Sequence, residues 1–217
     1  MQGGEGVSLP GLLAALLAGA IGYAIGSIST GYIVGKIYRN VDLRSVGSGS
    51  TGATNTFRTL GRGAGTLVAL LDIAKGIVAV WIAHELEPQG GDYRYLAEAL
   101  AAIGAVTGHC WPITLQGRGG RGVATGFGAL LFVATPAWAS AVAAFAVALA
   151  LTRMVSVGSL ASVVGALAGY LLFSATGWLS FHWATLAFIL IGGAIVYIRH
   201  VPNIQRIARG VEPRLRA

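Results

Sequence analysis

The sequence predicts an all-α integral membrane protein of about seven transmembrane helices, N-terminus outside and C-terminus cytoplasmic. Mean hydropathy is +0.71, and 55% of residues are hydrophobic while only 11% are charged, against about 25% charged in a typical soluble domain. Apolar runs of roughly 18 to 20 residues, the length that crosses hydrocarbon as a helix, succeed one another along the 217-residue chain. Between them the basic residues collect at alternate run ends, which sets the orientation.

The first run extends from Leu9 to about Gly35 and is punctuated by GSISTGY at Gly26 to Tyr32. Small residues there suit close helix packing, or the widened mouth of a polar site. The run lacks the basic region and cleavage pattern of a signal peptide, so it is expected to stay as a span. The second, Gly65 to Ala83, carries Asp72 and Lys75 one turn apart in an apolar helix. Ionisable residues at that depth are costly, and the pair is either a structural ion pair or part of a site. The third runs from Leu96 to Leu115. Val123 to Ala134 and Ala137 to Leu151 flank Pro136 and read as two short tilted spans, because together they exceed one bilayer crossing. The sixth covers Val157 to Phe173 and the seventh His182 to Ile198, before a basic tail.

Seven spans place Lys36, Arg39, Arg44, Arg58, Arg62, Arg118, Arg121, Arg153, Arg199, Arg206, Arg209, Arg214 and Arg216 in the cytoplasm. Outside stand Arg94, Glu5, Glu85, Glu87 and Asp92. Six or eight spans would move the basic tail to the wrong side. The net charge of +7 therefore reads as topology and attraction to anionic lipid, not as nucleic-acid binding. One transmembrane domain, residues 1–217, is expected, with cytoplasmic glycine-rich loops at 41–63 and 115–122. Trp81, Trp111, Trp178 and Trp183 sit near span ends as interfacial anchors.

Three polar segments share the cytoplasmic side. VDLRSVGSGSTGATNTFRTLGR, Val41 to Arg62, is too polar for lipid. Its Gly-Ser-Gly-Ser run permits positive φ and can turn successive N–H groups toward an anion, with hydroxyls and Arg58 completing the cradle. The second segment contains RGGRG, whose Arg118 and Arg121 offer forked donors suited to phosphate. In the third, His200 and Asn203 share one face if the helix continues past Arg199. Their convergence predicts a basic, glycine-lined pocket for a phosphorylated small molecule.

Much chemistry is excluded. There is no GxxxxGK[ST] loop, HExxH pair or GxSxG elbow, and no His followed four residues on by Asp. The single cysteine, Cys110, excludes an internal disulfide framework and a cysteine-rich metal site, and beside His109 it reads as a small buried residue. No metal and no cofactor are expected, which leaves a catalyst working by positioning.

GSISTGY, VDLRSVGSGSTGATNTFRTLG, LLDIAKG, GHCWPITLQGRGGRGVAT and YIRHVPNI, in this order and spacing, resemble the bacterial acyl-phosphate:glycerol-3-phosphate acyltransferase family (PlsY type). The resemblance runs from Gly26 to Asn203. It implies transfer of a fatty acyl group from acyl phosphate to the 1-hydroxyl of glycerol-3-phosphate, giving lysophosphatidic acid and phosphate in phospholipid synthesis. It also implies a multi-pass protein of the bacterial inner membrane with a cytoplasmic active site. Its partners would be glycerol-3-phosphate, membrane lipid, and a fatty acyl phosphate supplied by a soluble phosphate acyltransferase.

Carried over by position, the implied catalytic residues are His109, Arg58 and Asn55. The implied phosphate-binding residues are Ser48, Gly49, Ser50, Gly52, Thr54, Arg118, Arg121, His200 and Asn203. The chain departs from the family pattern at Ser50, where Asn is common, and at Arg118 and Arg121, where GGKG-type sequences carry Lys. Both arginines keep the charge but change reach and fork geometry. Arg121, Ser48, His200 and Asn203 are expected on the glycerol-3-phosphate phosphate, and loop N–H groups with Arg58 on the acyl phosphate. The general base is either His109 or a substrate phosphate. A transporter for an organic phosphate is the competing reading, and it requires repeats and a polar path that the sequence lacks.

Overall fold

The computed structural model describes residues 9–86 and 92–215. Among them are nine α-helices and no strand: α1 Leu9–Gly26, α2 Thr30–Arg39, α3 Ala53–Leu60, α4 Arg62–Leu86, α5 Asp92–Cys110, α6 Val123–Val133, α7 Thr135–Thr152, α8 Val155–Ala175 and α9 Trp183–Ala208. The expected outer acids Glu5 and Glu87 lie outside the described residues.

Contacts between small residues set the helix directions. Gly22 and Gly26 meet the backbone of Ala101 and Ala105, while Gly104 and Gly108 meet that of Gly19 and Tyr23. The register rises together, so α1 and α5 run parallel, close enough that any side chain at these positions would collide. α4 returns antiparallel: near its end His84 Nδ1 lies 2.8 Å from Glu98 Oε1 at the start of α5. In its middle, Asp72 faces His109 at the end of α5. α9 is parallel to α5, because His182 stacks on Tyr95 at 3.5 Å while Arg199 reaches Gly119 and Gly120 at the other end. α7 and α8 form an antiparallel hairpin, with Gly169 on Ser140 and Gly158 on Phe145. The first residue of α1 and the last of α9 consequently lie at opposite ends of the bundle. Lys36, Arg39, Arg58, Arg121, Arg199 and Arg206 all fall at the α9 C-terminal end, hereafter the basic end.

Among the described residues, six helical stretches are long and apolar enough to cross a membrane, counting Leu9–Arg39 as one. That stretch breaks at residues 27–29, within GSISTGY. The expected pair of short spans is indeed two helices, parted at Ala134 with Pro136 in the first turn of α7, but they are unequal. α6 has 11 residues, about 16 Å of a hydrocarbon core about 30 Å thick. It starts where Gly76 and Ile73 of α4 meet Thr125 and Gly128. It ends where the ring of Phe132 lies 5.6 Å from that of His84. The other half of the crossing is made by chain between Trp111 and Gly122 that is irregular apart from one 3₁₀ turn, Ile113–Leu115. Such backbone is tolerated at membrane depth only when other protein groups satisfy it. α9 continues past the expected end at Ile198, through Pro202, to Ala208.

Candidate active site

The loop before α3 is held from within. Asp42 caps a single 3₁₀ turn, Leu43–Ser45, and accepts from the Arg44 backbone N–H at 3.0 Å. It also binds the Arg44 guanidinium in a fork, at 3.0 Å through Nε and 2.7 Å through Nη2. That hydrogen-bonded guanidinium holds the Asp42 carboxyl at about 2, and Arg44 also lies over the ring of Tyr32 at 5.1 Å. Arg44 is thus neutralised locally. Gly47 and Gly49 take φ of +60° and +69°, and the space a Gly47 side chain would need is filled by Asn55 Oδ1.

Asn55, expected among the catalytic residues, is the staple of this loop. Its Oδ1 accepts from Ser48 N–H at 2.9 Å. Its Nδ2 donates to the carbonyls of Leu43, Val46 and Ser50 at 3.1, 3.1 and 2.9 Å. The side chain is buried and both amide protons are committed, so it supports the site from beneath. Ser50 Oγ accepts from Gly52 N–H at 3.3 Å, and Gly49 N–H is taken by Val46 O. Part of the expected amide nest therefore serves the loop itself. Ser48 is exposed and Thr54 half-buried.

The two glycine loops meet. The side-chain direction of Gly52, the N-cap of α3, ends 4.0 Å from the α-carbon of Gly120, two residues before Gly122, the N-cap of α6. Neither cap residue supplies a side-chain acceptor. Two helix N-termini, each the positive end of its dipole, therefore open close together. Arg121 follows Gly120 and precedes the α6 N-cap, and the charges bearing on it are Arg206, Glu212, Arg58 and Arg199. Arg118 is exposed and is not among them.

The glycine pair is clamped from both sides. Gly120 N–H donates to His109 O at 2.9 Å and Gly119 N–H to Cys110 O at 3.3 Å. Arg199 donates to Gly120 O at 3.0 Å and Gly119 O at 3.2 Å and lies 5.5 Å from the Trp111 ring centre. His109 is 6% exposed. Its Nδ1 is 3.4 Å from Asp72 Oδ1, and its Nε2 occupies the position a Gly120 side chain would take. The imidazole is thus the floor of the loop, with one edge toward Asp72 and the other under Gly120. Cys110 is fully buried, as expected.

On α9, spacing by three does bring His200 and Asn203 together on a buried face. His200 Nδ1 is paired with Val196 O at 2.8 Å, leaving Nε2 for another partner. Asn203 Nδ2 donates to Glu212 Oε1 at 2.7 Å and Arg206 Nε to Glu212 Oε2 at 2.7 Å, while Asn203 Oδ1 is buried without a protein partner. Burial alone would raise the Glu212 carboxyl, but the Asn203 and Arg206 hydrogen bonds outweigh it and hold the group below the ordinary range. The sequence reading passed over Glu212, which lies in a tail with no periodicity; a lone acid among arginines was its one signal. Gly52, Arg58, Arg121, Arg199, His200, Asn203 and Arg206 thus form one cationic site at the basic end.

Beneath it lies an apolar crevice, lined among others by Val106, Val123, Phe127, Leu130, Phe188 and Val196. Gly122 lies at its upper edge, beside Val106, Cys110 and Val196. Crevice and cationic site are therefore contiguous across one residue.

Residues 16–210 match the family model described as glycerol-3-phosphate acyltransferase. A glycerol-3-phosphate acyltransferase of Prochlorococcus marinus (strain MIT 9312) is 38% identical over 90% of this chain and 94% of its own length. One from Synechococcus sp. (strain JA-3-3Ab) is 43% identical over 95% and 96%. The crystal structure of PlsY (YgiH), an integral membrane glycerol 3-phosphate acyltransferase, in its glycerol 3-phosphate form superposes with TM-score 0.80 at 29% identity. It covers 95% of this chain and 96% of its own. The chain belongs to the glycerol-3-phosphate acyltransferase family.

Proposed function

We propose that this member of the glycerol-3-phosphate acyltransferase family transfers a fatty acyl group from acyl phosphate to the 1-hydroxyl of glycerol-3-phosphate at its basic end, forming lysophosphatidic acid and phosphate. The observation that carries the reading is adjacency: a cationic site fit for two phosphates neighbours an apolar crevice, with Gly122 between them. The donor's head would lie at the loops and its chain along the crevice.

Arg121, with His200, Asn203 and Ser48, would hold the phosphate of glycerol-3-phosphate. The N-terminus of α3 and Arg58 would hold the acyl phosphate and stabilise charge growing on its carbonyl oxygen. The 1-hydroxyl oxygen attacks the acyl carbon, the bond from that carbon to the phosphate oxygen breaks, and the departing phosphate takes the hydroxyl proton. Because the donor is already activated, holding both substrates together can supply about 7 to 11 kcal/mol of the barrier lowering. The enclosure of His109 favours a substrate phosphate as the base. Basic residues gathered at this end favour a cytoplasmic site in a bacterial inner membrane, with a soluble phosphate acyltransferase as the source of donor.

The test is turnover by protein in lipid given glycerol-3-phosphate with palmitoyl phosphate or with palmitoyl-CoA. Lysophosphatidic acid and phosphate should form only from palmitoyl phosphate, and only with both substrates. Product from palmitoyl-CoA alone, or no product from either, would overturn the proposal.

A further inference from the structure

The apolar helices bury a charged pair that the proposed reaction does not use. Asp72 is 1% and Lys75 7% exposed. One oxygen, Asp72 Oδ1, gathers three elements: it accepts from Thr30 Oγ1 of α2 at 2.7 Å, it pairs with Lys75 Nζ of α4 at 2.9 Å, and it faces His109 Nδ1 of α5 at 3.4 Å. Lys75 also donates to Ile28 O at 3.0 Å, in the break between α1 and α2. Asp72 Oδ2 has no protein partner.

A buried ion pair is poor evidence of stabilisation, since desolvation of both charges offsets their attraction. The geometry points to a different role: Asp72, Lys75 and Thr30 are positioning residues that fix the rotation of His109, and through its ring the height of the Gly119–Gly122 backbone and the placement of Arg121. The chain of contact is continuous. Lys75 and Thr30 anchor one carboxylate oxygen, that oxygen faces one side of the imidazole, and the other side of the imidazole lies under Gly120. Rotation of the ring would either drive Nε2 into Gly120 or leave a void beneath it. The inference rests on the reading that the loop leading into α6 binds a substrate phosphate.

The experiment compares wild type with Asp72→Asn, His109→Gln, their combination, and Asp72→Asn/Lys75→Met, which removes both charges and leaves neither unpaired. Two readouts are independent of each other. Hydrogen exchange of the segment 111–123 reports the Gly119 and Gly120 amides without any turnover, and it should quicken at least tenfold in Asp72→Asn/Lys75→Met while the α7–α8 hairpin is unchanged. In acyl transfer, kcat/KM for glycerol-3-phosphate should fall about tenfold or more, chiefly through KM, and Asp72→Asn should add less than twofold to His109→Gln, because both act through one ring. Unchanged loop exchange overturns the inference, as does full additivity or a uniform loss of stability with KM at the wild-type value. Should the double variant not fold, Thr30→Val against Thr30→Ser decides: loop exchange and KM must shift in the first and be restored in the second. A wild-type protein that turns over neither donor defeats the proposed reaction and leaves the exchange result to judge the positioning role alone.

Discussion

Replacing Gly120 by Ala puts one methyl group where the structure has none to spare. The added carbon would coincide with His109 Nε2 and would also approach Cε1 to 2.7 Å and Cδ2 to 2.9 Å. The imidazole cannot simply swing aside, since its other edge faces Asp72 and its backbone carbonyl holds Gly120. Either the ring leaves Asp72, or the loop lifts and loses the bonds from Arg199 at 3.0 and 3.2 Å. Forcing an extra methyl into a filled interior costs about 1 to 3 kcal/mol, and if the loop must be pressed back to bind phosphate, that cost appears as about a 5- to 150-fold loss of kcat/KM. The assay is acyl transfer from palmitoyl phosphate with glycerol-3-phosphate varied, beside thermal unfolding in the same detergent. Gly63→Ala is the control, because nothing lies within 4 Å of its side-chain direction, and it should keep wild-type kinetics. A Gly120→Ala enzyme within twofold of wild type in kcat/KM would refute the reasoning, for it would mean that the floor under the loop yields at no cost.

His109→Ala should lose activity by roughly the same few-fold to hundredfold range as Gly120→Ala, and by far less than the many orders expected on deleting a general base; a pH–rate profile that keeps its shape would confirm that no base was lost. Asn55→Ala removes the hydrogen bonds that close the loop before α3, leaving buried backbone groups unmatched, and should cost about 1 to 3 kcal/mol or more, read as a lowered unfolding midpoint. Glu212 is held below the ordinary carboxylate range, so its stabilisation is full above about pH 4.3, the ordinary Glu value, and is lost as pH falls through the lower folded value. Glu212→Gln should be less stable than wild type at neutral pH and should lose that acid dependence, which unfolding midpoints between pH 3 and 7 on the two proteins would measure.

Membrane class and the meeting of three polar segments were legible from hydropathy, charge and spacing. Each of those signals is local or strictly alternating, and lipid enforces them. Helix length in the middle of the chain was not legible. Val123 to Ala134 carries no charge and only Thr125 as a polar side chain, so nothing in the sequence distinguishes a helix that crosses from one that starts halfway, with glycine-rich chain making up the depth. The roles of Asn55 and His109 were hidden for another reason. Composition placed each in the right segment, but whether an amide or imidazole faces substrate or supports the loop depends on groups far along the chain. For His109 these include Asp72, 37 positions earlier. Asp72 and Lys75 could be read as a pair from their spacing, whereas Thr30, which completes their cluster, lies 42 positions from Asp72.

The half-length of α6 bears on how the protein is made. A helix of 11 residues cannot hold its place in a bilayer unaided, and the chain that precedes it exposes backbone that lipid would not solvate. This stretch is stable only where α4 and α5 already line its berth, with Gly76 and Gly128 leaving room for the approach. Even then the pair of glycines before it lacks its outer clamp until Arg199 of α9 arrives. During synthesis α9 is therefore the piece that completes the clamp on Gly119 and Gly120, and a chain arrested before it would lack that clamp.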